Sequence, residues 1–317
     1  MVVHPKLAVV AVGGNSLIVN GEHEAIPYQS QAAAAAAHHI ADMIAQGWNV
    51  VITHGNGPQV GFILRRSEVA IHEVPPVPMN YATADTQGVI GYMFQRALRN
   101  EFRQRGIDRG VAAVVTQTLV DRGDPAFVDP TKPIGSLMEE EYARKLASKQ
   151  GWIVKEDAGR GWRRVVPSPL PRAIIEEDVI TQLLAGGAVV IACGGGGLPV
   201  FRDERGDLQG VEAVIDKDLA SSLLARDVGA EVFLITTSVE KVAIHFNRPD
   251  QQWLDQLTLS QARTYYAQGH FAEGSMGPKI EAVIEFLERG GRRGVITDPP
   301  HMCSALAGAS GTSIVPD

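Results

Sequence analysis

Two lysines of this chain stand where helices are predicted to begin: Lys217 in Asp216-Lys217-Asp218, and Lys279 in Gly274-Ser275-Met276-Gly277-Pro278-Lys279, with Pro278 suited to the first helical position. A helix start is the positive end of the helix dipole, so a cation there costs a few tenths of a kcal/mol up to about 1 unless an anion sits beside it. Two such lysines point to a shared phosphate. On the motifs alone each also reads as a solvated lysine, Lys217 beside two aspartates that cap its helix. Asp218 is placed to orient the ammonium groups or balance their charge. Lys132, in Asp129-Pro130-Thr131-Lys132-Pro133-Ile134-Gly135, lies in a loop stiffened by proline, and reads either as a contact carried on a lid or as an exposed lysine.

Three apolar runs end in glycine-rich turns: LAVVAV in Gly13-Gly14-Asn15, NVVIT in His54-Gly55-Asn56-Gly57, and AVVIAC in Gly194-Gly195-Gly196-Gly197. At the carboxyl end of a parallel strand such a turn leaves backbone N–H groups bare and lets the main chain approach a phosphate, while the next helix adds its positive end. The standard nucleotide fingerprints do not fit. Gly55-x-Gly57-x-x-Val60 lacks the third glycine of GxGxxG, and no GxxxxGK[ST] occurs. Lysines and amides without a Ser-His-Asp set, a metal cluster or a carboxylate pair suit phosphoryl transfer, which asks for positioning and charge neutralisation. The lack of an evident base suggests an acceptor that already carries a negative oxygen, such as a carboxylate or carbamate. Magnesium would ride on the nucleotide phosphates.

These groups need a scaffold. The chain has 317 residues, 45% hydrophobic and 21% charged, enough for a large core in one domain or two lobes. A net charge of -7 argues against nucleic acid as a general partner. No apolar run approaches the roughly 18 residues of a membrane span, and MVVHPK leads straight into a strand, so a cytoplasmic location is expected. Cys193 and Cys303 read as core thiols of a reducing compartment, and the nine histidines show no metal-ligand spacing. Strand-like and helix-like runs alternate: AVVAV, a helix through the alanine run, VVIT, helices near Val60–Arg66 and Ile90–Arg105, and AAVVTQTLV. The rhythm resumes with a helix near Ile174–Leu184, AVVIAC, helices at Asp218–Ala225 and Pro278–Arg289, with EVFLITTS between them, and GVIT. This predicts an α/β fold, a mostly parallel sheet flanked by helices. Between Arg122 and Ser168 the pattern breaks into a turn-rich stretch, a helix and a hairpin turning at Asp157–Gly161, an inserted subdomain that is either a lid or a surface elaboration. A second hairpin, LPVFRDERGDLQGVEAV, precedes Asp216.

In order along nearly the whole chain, AVGGNSL, THGNGPQVG, DPTKPIG, RRVVPSPLP, GGGGLPV, AVIDKDLAS and AEGSMGPK resemble the carbamate kinases of the amino-acid kinase superfamily. The resemblance implies a three-layer αβα sandwich with a carbamate-binding lobe over residues 1–210, a nucleotide-binding lobe over 211–317 and a protruding subdomain at 122–168. It also implies a homodimer, a place in arginine metabolism, and reversible transfer between ATP and carbamate giving ADP and carbamoyl phosphate, often run toward ATP synthesis. By motif, Gly13, Gly14 and Asn15 would line the transferring phosphate, and Gly55, Asn56 and Gly57 would hold carbamate and the phosphoryl group. Lys132, Lys217 and Lys279 would stabilise charge, with Asp218 orienting them. Thr236, Gly274, Ser275 and Met276 would border the nucleotide. The segment Thr237-Ser238-Val239-Glu240-Lys241-Val242 departs from the aspartate-rich form of many members, which bears on nucleotide preference. Other readings are a related acyl-phosphate-forming kinase, for instance one acting on acetylglutamate, and a non-catalytic binding protein.

Overall fold

Every position of β1 (Leu7–Val12) is apolar and buried, as a strand covered on both faces requires. Leu7, Val9 and Ala11 enter the core on one face, and Ala8, Val10 and Val12 enter the core on the other. The computed structural model describes residues 6–14, 17, 24–157, 161–272 and 274–317. After β1 come α1 (Ile26–Ala45), β2 (Asn49–His54), α2 (Gly57–Val69), α3 (Met79–Arg105) and β3 (Val111–Ala113). Then follow β4 (Gln117–Val120), β5 (Lys132–Met138), α4 (Glu140–Gln150), β6 (Ile153–Glu156), β7 (Trp162–Val166) and β8 (Pro171–Ile174). The chain continues through α5 (Glu177–Ala185), β9 (Val189–Ile191), β10 (Leu198–Arg202), β11 (Leu208–Gly210), α6 (Lys217–Asp227) and β12 (Val232–Thr236). Last come β13 (Val242–Ile244), β14 (Gln252–Leu254), β15 (Gln256–Thr258), α7 (Leu259–Ala267), α8 (Met276–Glu288), β16 (Arg293–Thr297), α9 (Met302–Leu306) and β17 (Thr312–Val315).

Eight strands form the central sheet in the order β15-β17-β16-β12-β1-β2-β9-β3. From β16 to β3 all neighbours are parallel, with Val9 opposite both Val51 and Phe233, while β17 runs against β16. On one face lie α5, α6, α7 and α8, whose Ile180, Leu224, Ala262, Ile280 and Phe286 are buried against the sheet. On the other lie α1, α3 and α9, with alanines 33, 36, 37 and 41 turning a small-residue face of α1 inward. This is the three-layer αβα sandwich expected. β1 connects forward to β2 on one side and receives β12 on the other, so the strand order reverses beside it. At such a switch point the carboxyl ends of the strands open into a crevice.

Several local expectations need correction. AAVVTQTLV is two strands: β3 ends in the central sheet, and after Val114–Thr116 the chain enters a second sheet, ordered β11-β10-β4-β8. Gly194–Gly197 does the same for β9, which continues as β10, so this turn joins strand to strand and no helix follows it. Ile174 closes β8, and α5 starts only at Glu177. Lys132 is the first residue of β5 rather than a loop residue. Pro278 is the third residue of α8, because Met276 opens the helix; its missing N–H still falls within the first turn, where no intrahelical bond is lost. Both hairpins form, β6 with β7 and β10 with β11. The Asp157 N–H donates to the Gly161 carbonyl at 2.8 Å. The three-stranded sheet β5-β7-β6 and α4 lie within residues 122–168.

Candidate active site

A crevice of about 820 Å³ opens at the carboxyl ends of β1, β2 and β12, a size suited to a small cofactor or nucleotide. Gly13 and Gly14 follow β1 into it, Gly55, Asn56 and Gly57 follow β2, and Thr236, Thr237 and Ser238 close β12. Lys217 and Asp218 enter from the start of α6, Gly274, Ser275 and Lys279 from the start of α8, and Lys132 from the subdomain. Neither Asn56 at the start of α2 nor Ser275 at the start of α8 makes a side-chain capping bond. Two helix starts without a side-chain cap therefore face the same space, which favours an anion, although at α8 the Ser275 and Gly277 N–H groups donate to the Ala272 carbonyl at 3.2 and 3.0 Å.

The lysines meet on two aspartates. Asp218, 4% exposed, takes the ammonium of Lys217 on Oδ1 and that of Lys279 on Oδ2, the latter at 3.1 Å. Asp216 caps α6 with Oδ1, accepting from the Asp218 N–H at 2.9 Å, and takes Lys132 Nζ on Oδ2 at 2.9 Å. Three ammonium groups face two carboxylates, so this cluster keeps one positive charge in excess. Burial pushes the Lys217 ammonium down from its usual value and the neighbouring Lys279 adds to this, against the pull of Asp218. Burial alone would push the Asp218 carboxyl up, but the two ammoniums hold it below the usual carboxylate range. The excess charge sits at two helix starts where a cation is already disfavoured, so the arrangement is most stable with a polyanion between the lysines.

The glycine turns set how closely the strands' ends approach. A Cβ on Gly55 would lie 2.6 Å from the Gly14 nitrogen, so the first two turns touch backbone to backbone. Gly195, at φ +66°, abuts the Asn56 amide, and a side chain there would displace it. Asn56 is held from the other side: its Nδ2 donates to Thr86 Oγ1 at 2.8 Å, and that hydroxyl donates to the Thr83 carbonyl at 2.6 Å. Gln87 donates to the Thr116 and Gly194 carbonyls and accepts from the Thr116 N–H at 2.8 Å, tying α3 to the third glycine turn. Beneath the loop, His54 is fully enclosed; its Nδ1 lies 3.1 Å from the Gly55 carbonyl and its ring stacks near Phe94. Burial, aided by Lys217, pulls its pKa down to about 4 against the opposing pull of that carbonyl, so the ring is neutral with Nδ1–H donating.

Of the residues expected here, Thr236 lines the crevice, but its hydroxyl lies 3.4 Å from the Ala11 carbonyl in the neighbouring strand. Met276 packs against the apolar core and is not part of the crevice lining. Asn15 lies outside the described residues. Sequence reasoning missed Asp298, Pro299 and Pro300, which border the crevice after β16. The signal was present, since GVIT runs into Asp-Pro-Pro as the other site strands run into turns. It also missed Thr86 and Gln87, mid-helix polar residues whose buried bonds become visible only once α3 is docked. Among the described residues, no three His, Cys, Asp or Glu side chains group so as to hold a metal, and no helix is long and apolar enough to cross a membrane.

A mostly parallel αβα sheet whose switch-point crevice gathers lysines and helix starts defines a phosphoryl-transfer scaffold, and the family model described as "Amino acid kinase family" matches residues 6–298. The carbamate kinase of Thermococcus kodakarensis is 50% identical over 313 residues, covering 98% of this chain and 99% of its own. The carbamate kinase-like protein YqeA of Escherichia coli is 49% identical over 315 residues, with 98% and 99% covered. The structure of carbamate kinase from Giardia lamblia bound to AMP-PNP matches with a TM-score of 0.92 at 41% identity, over 98% of this chain and 99% of that one. This chain belongs to the amino acid kinase family and, within it, to the carbamate kinases.

Proposed function

We propose that this protein catalyses reversible phosphoryl transfer between ATP and carbamate, giving ADP and carbamoyl phosphate. The observation that carries this reading is the cluster of Lys132, Lys217 and Lys279 around Asp216 and Asp218 at the mouth of the strand ends. Carbamate brings its own negative oxygen, so attack on the γ-phosphorus needs no base, and the protein's task is to align two anions and neutralise the charge that spreads over the equatorial oxygens. The amides after β1 and β2 would hold carbamate and the moving phosphoryl group, with Asn56 fixed by Thr86. Lys217 and Lys279, steered by Asp218, would meet the transferring group and the nucleotide phosphates. Lys132 would approach from the subdomain. The donor set of ammonium groups and amides fits phosphate oxygens, so magnesium would arrive bound to the nucleotide, drawing charge from its phosphates.

In this reading residues 1–210 serve carbamate, residues 211–317 serve ATP or ADP, and the insertion at 122–168 works as a lid. The nucleotide would lie along Thr236–Ser238, Gly274 and Ser275; the description of the Giardia relative, bound to AMP-PNP, supports a nucleotide in this family. A homodimer is supported by the exposed apolar residues Val69, Val74, Tyr81, Val89 and Tyr92 of the α2–α3 face. A cytoplasmic setting is supported by two free cysteines, one of them buried.

The test is ATP formation from carbamoyl phosphate and magnesium-ADP by the purified protein, beside the Lys279→Ala variant. ATP made by the parent and not by the variant is expected. A folded parent that binds ADP yet makes no ATP would refute the assignment and turn the search to other acids, acetylglutamate among them, or to a non-catalytic role.

A further inference from the structure

Asp216 divides its carboxylate between two jobs. Oδ1 accepts the N–H groups of Asp218 and Leu219 at 2.9 and 3.4 Å, capping the helix that carries Lys217 and Asp218. Oδ2 accepts Lys132 Nζ at 2.9 Å, across 84 residues of chain. Lys132 opens β5, whose partner β7 places Val166 opposite it, so its ammonium is the tip of the subdomain's sheet. The pair is partly sheltered, with side-chain exposures of 37% for Lys132 and 18% for Asp216, and it lines the crevice itself.

We propose that Asp216 is a positioning residue that latches the subdomain over the crevice: it holds the Lys132 ammonium at the mouth, in line with Lys217 and Lys279, so that closure of the subdomain and the setting of α6 are one event. The inference rests on reading the crevice as a phosphoryl-transfer site. Other ties of the subdomain do not involve Lys132. Ile134 and Val166 pack on Val60, Leu64, Met79 and Ala82, Arg164 reaches Glu212 at 3.3 Å, the Val214 N–H donates to the Pro167 carbonyl at 2.9 Å, and Phe127 packs with Ile215 and Ala220. Those contacts hold the base of the subdomain. Beside the apolar contact of Phe127 with Ala220, Lys132–Asp216 is the ion pair that joins the subdomain to the helix start carrying the charged groups.

A single substitution separates the two jobs. Asparagine caps helices as well as aspartate does, so Asp216→Asn keeps the α6 cap while removing the charge that holds Lys132. The same change makes the crevice more positive, which favours binding of anions. A split is therefore expected: kcat for ATP synthesis falls about tenfold because Lys132 is no longer held in line, while KM for magnesium-ADP does not rise. The thermal midpoint is retained, and the backbone amides of Ile134 and Val165 exchange with deuterium several-fold faster in the ligand-free protein. Asp216→Ala, which also loses the cap, lowers the thermal midpoint as well.

The exchange measurement needs no activity, so it decides the latch even if the parent makes no ATP, in which case the proposed function falls and the latch is judged alone. Unchanged exchange in Asp216→Asn overturns the latch, as does a kcat within twofold of the parent. A rise in KM without a fall in kcat also overturns it, because the carboxylate would then act on ligand binding and not on alignment. Should Asp216→Asn fail to fold, Lys132→Gln removes the same pair from the other end, and unchanged exchange in that variant is equally fatal.

Discussion

His54→Gln tests whether the glycine loop rests on a neutral imidazole. In the folded protein His54 has its pKa pulled from 6.5 to about 4, chiefly by burial. Between those two values the unfolded chain holds a proton on this ring that the folded chain refuses, so acid favours unfolding. The sign follows: a depressed histidine makes stability fall as pH drops from about 6.5 towards 4, and the loss saturates below that. A shift of this size corresponds to about 3 kcal/mol, since each pKa unit is worth about 1.4 kcal/mol. Glutamine keeps a polar N–H that can reach the Gly55 carbonyl and cannot titrate. Asp218, held below the usual carboxylate range, contributes only at lower pH, and His39, also pulled down by burial, titrates alike in both proteins. Urea unfolding at intervals from about pH 7 to 4 should show the parent losing about 3 kcal/mol more than His54→Gln across that window. The variant's stability at neutral pH does not enter, because the comparison is between slopes. Parallel curves for the two proteins would show that His54 protonates without leaving its site, and the account of a dry, neutral ring under Gly55 would be wrong.

Lys279→Ala and Lys217→Ala should each cut turnover at least about a hundredfold, roughly 2.7 kcal/mol of transition-state stabilisation, with the fold intact by circular dichroism. Near-normal turnover in either would remove that lysine from the chemistry. Thr86→Val leaves the buried Asn56 amide without its acceptor, so a stability loss of about 1–3 kcal/mol is expected, together with a higher KM for carbamoyl phosphate as the side chain loses its fixed orientation. A KM equal to the parent's would mean that Gly195, and not Thr86, sets the position of Asn56.

The glycine turns after β1 and β2 and the lysines at two helix starts were legible in the sequence because each breaks a local rule: bare backbone at a strand end, and a cation at the positive end of a helix. The strand alternation was legible too, because runs such as LAVVAV can be buried on both faces and nowhere else in a soluble fold. What failed was the reading of the third glycine turn as a strand-to-helix corner. Gly194–Gly197 obeys the same local pattern as the other two, yet its need for glycine comes from neighbours distant in sequence: His54 and Gln87 against Gly194, Asn56 against Gly195, and Thr118 against Gly197. Only the docked fold reveals such crowding. Asp216 shows the same limit from the other side. As a helix cap it is predictable from its place before Lys217 and Asp218, and a cap satisfies every local expectation of an aspartate there. Its second oxygen faces a lysine 84 residues away, and no local rule asks for that partner. Residues that satisfy a local rule while serving a distant one are the ones a single sequence hides. In this chain they include the neighbours of the crevice Thr86, Gln87, Gly195 and Asp216, whereas Lys217 and Lys279 stand out because a cation is disfavoured at a helix start.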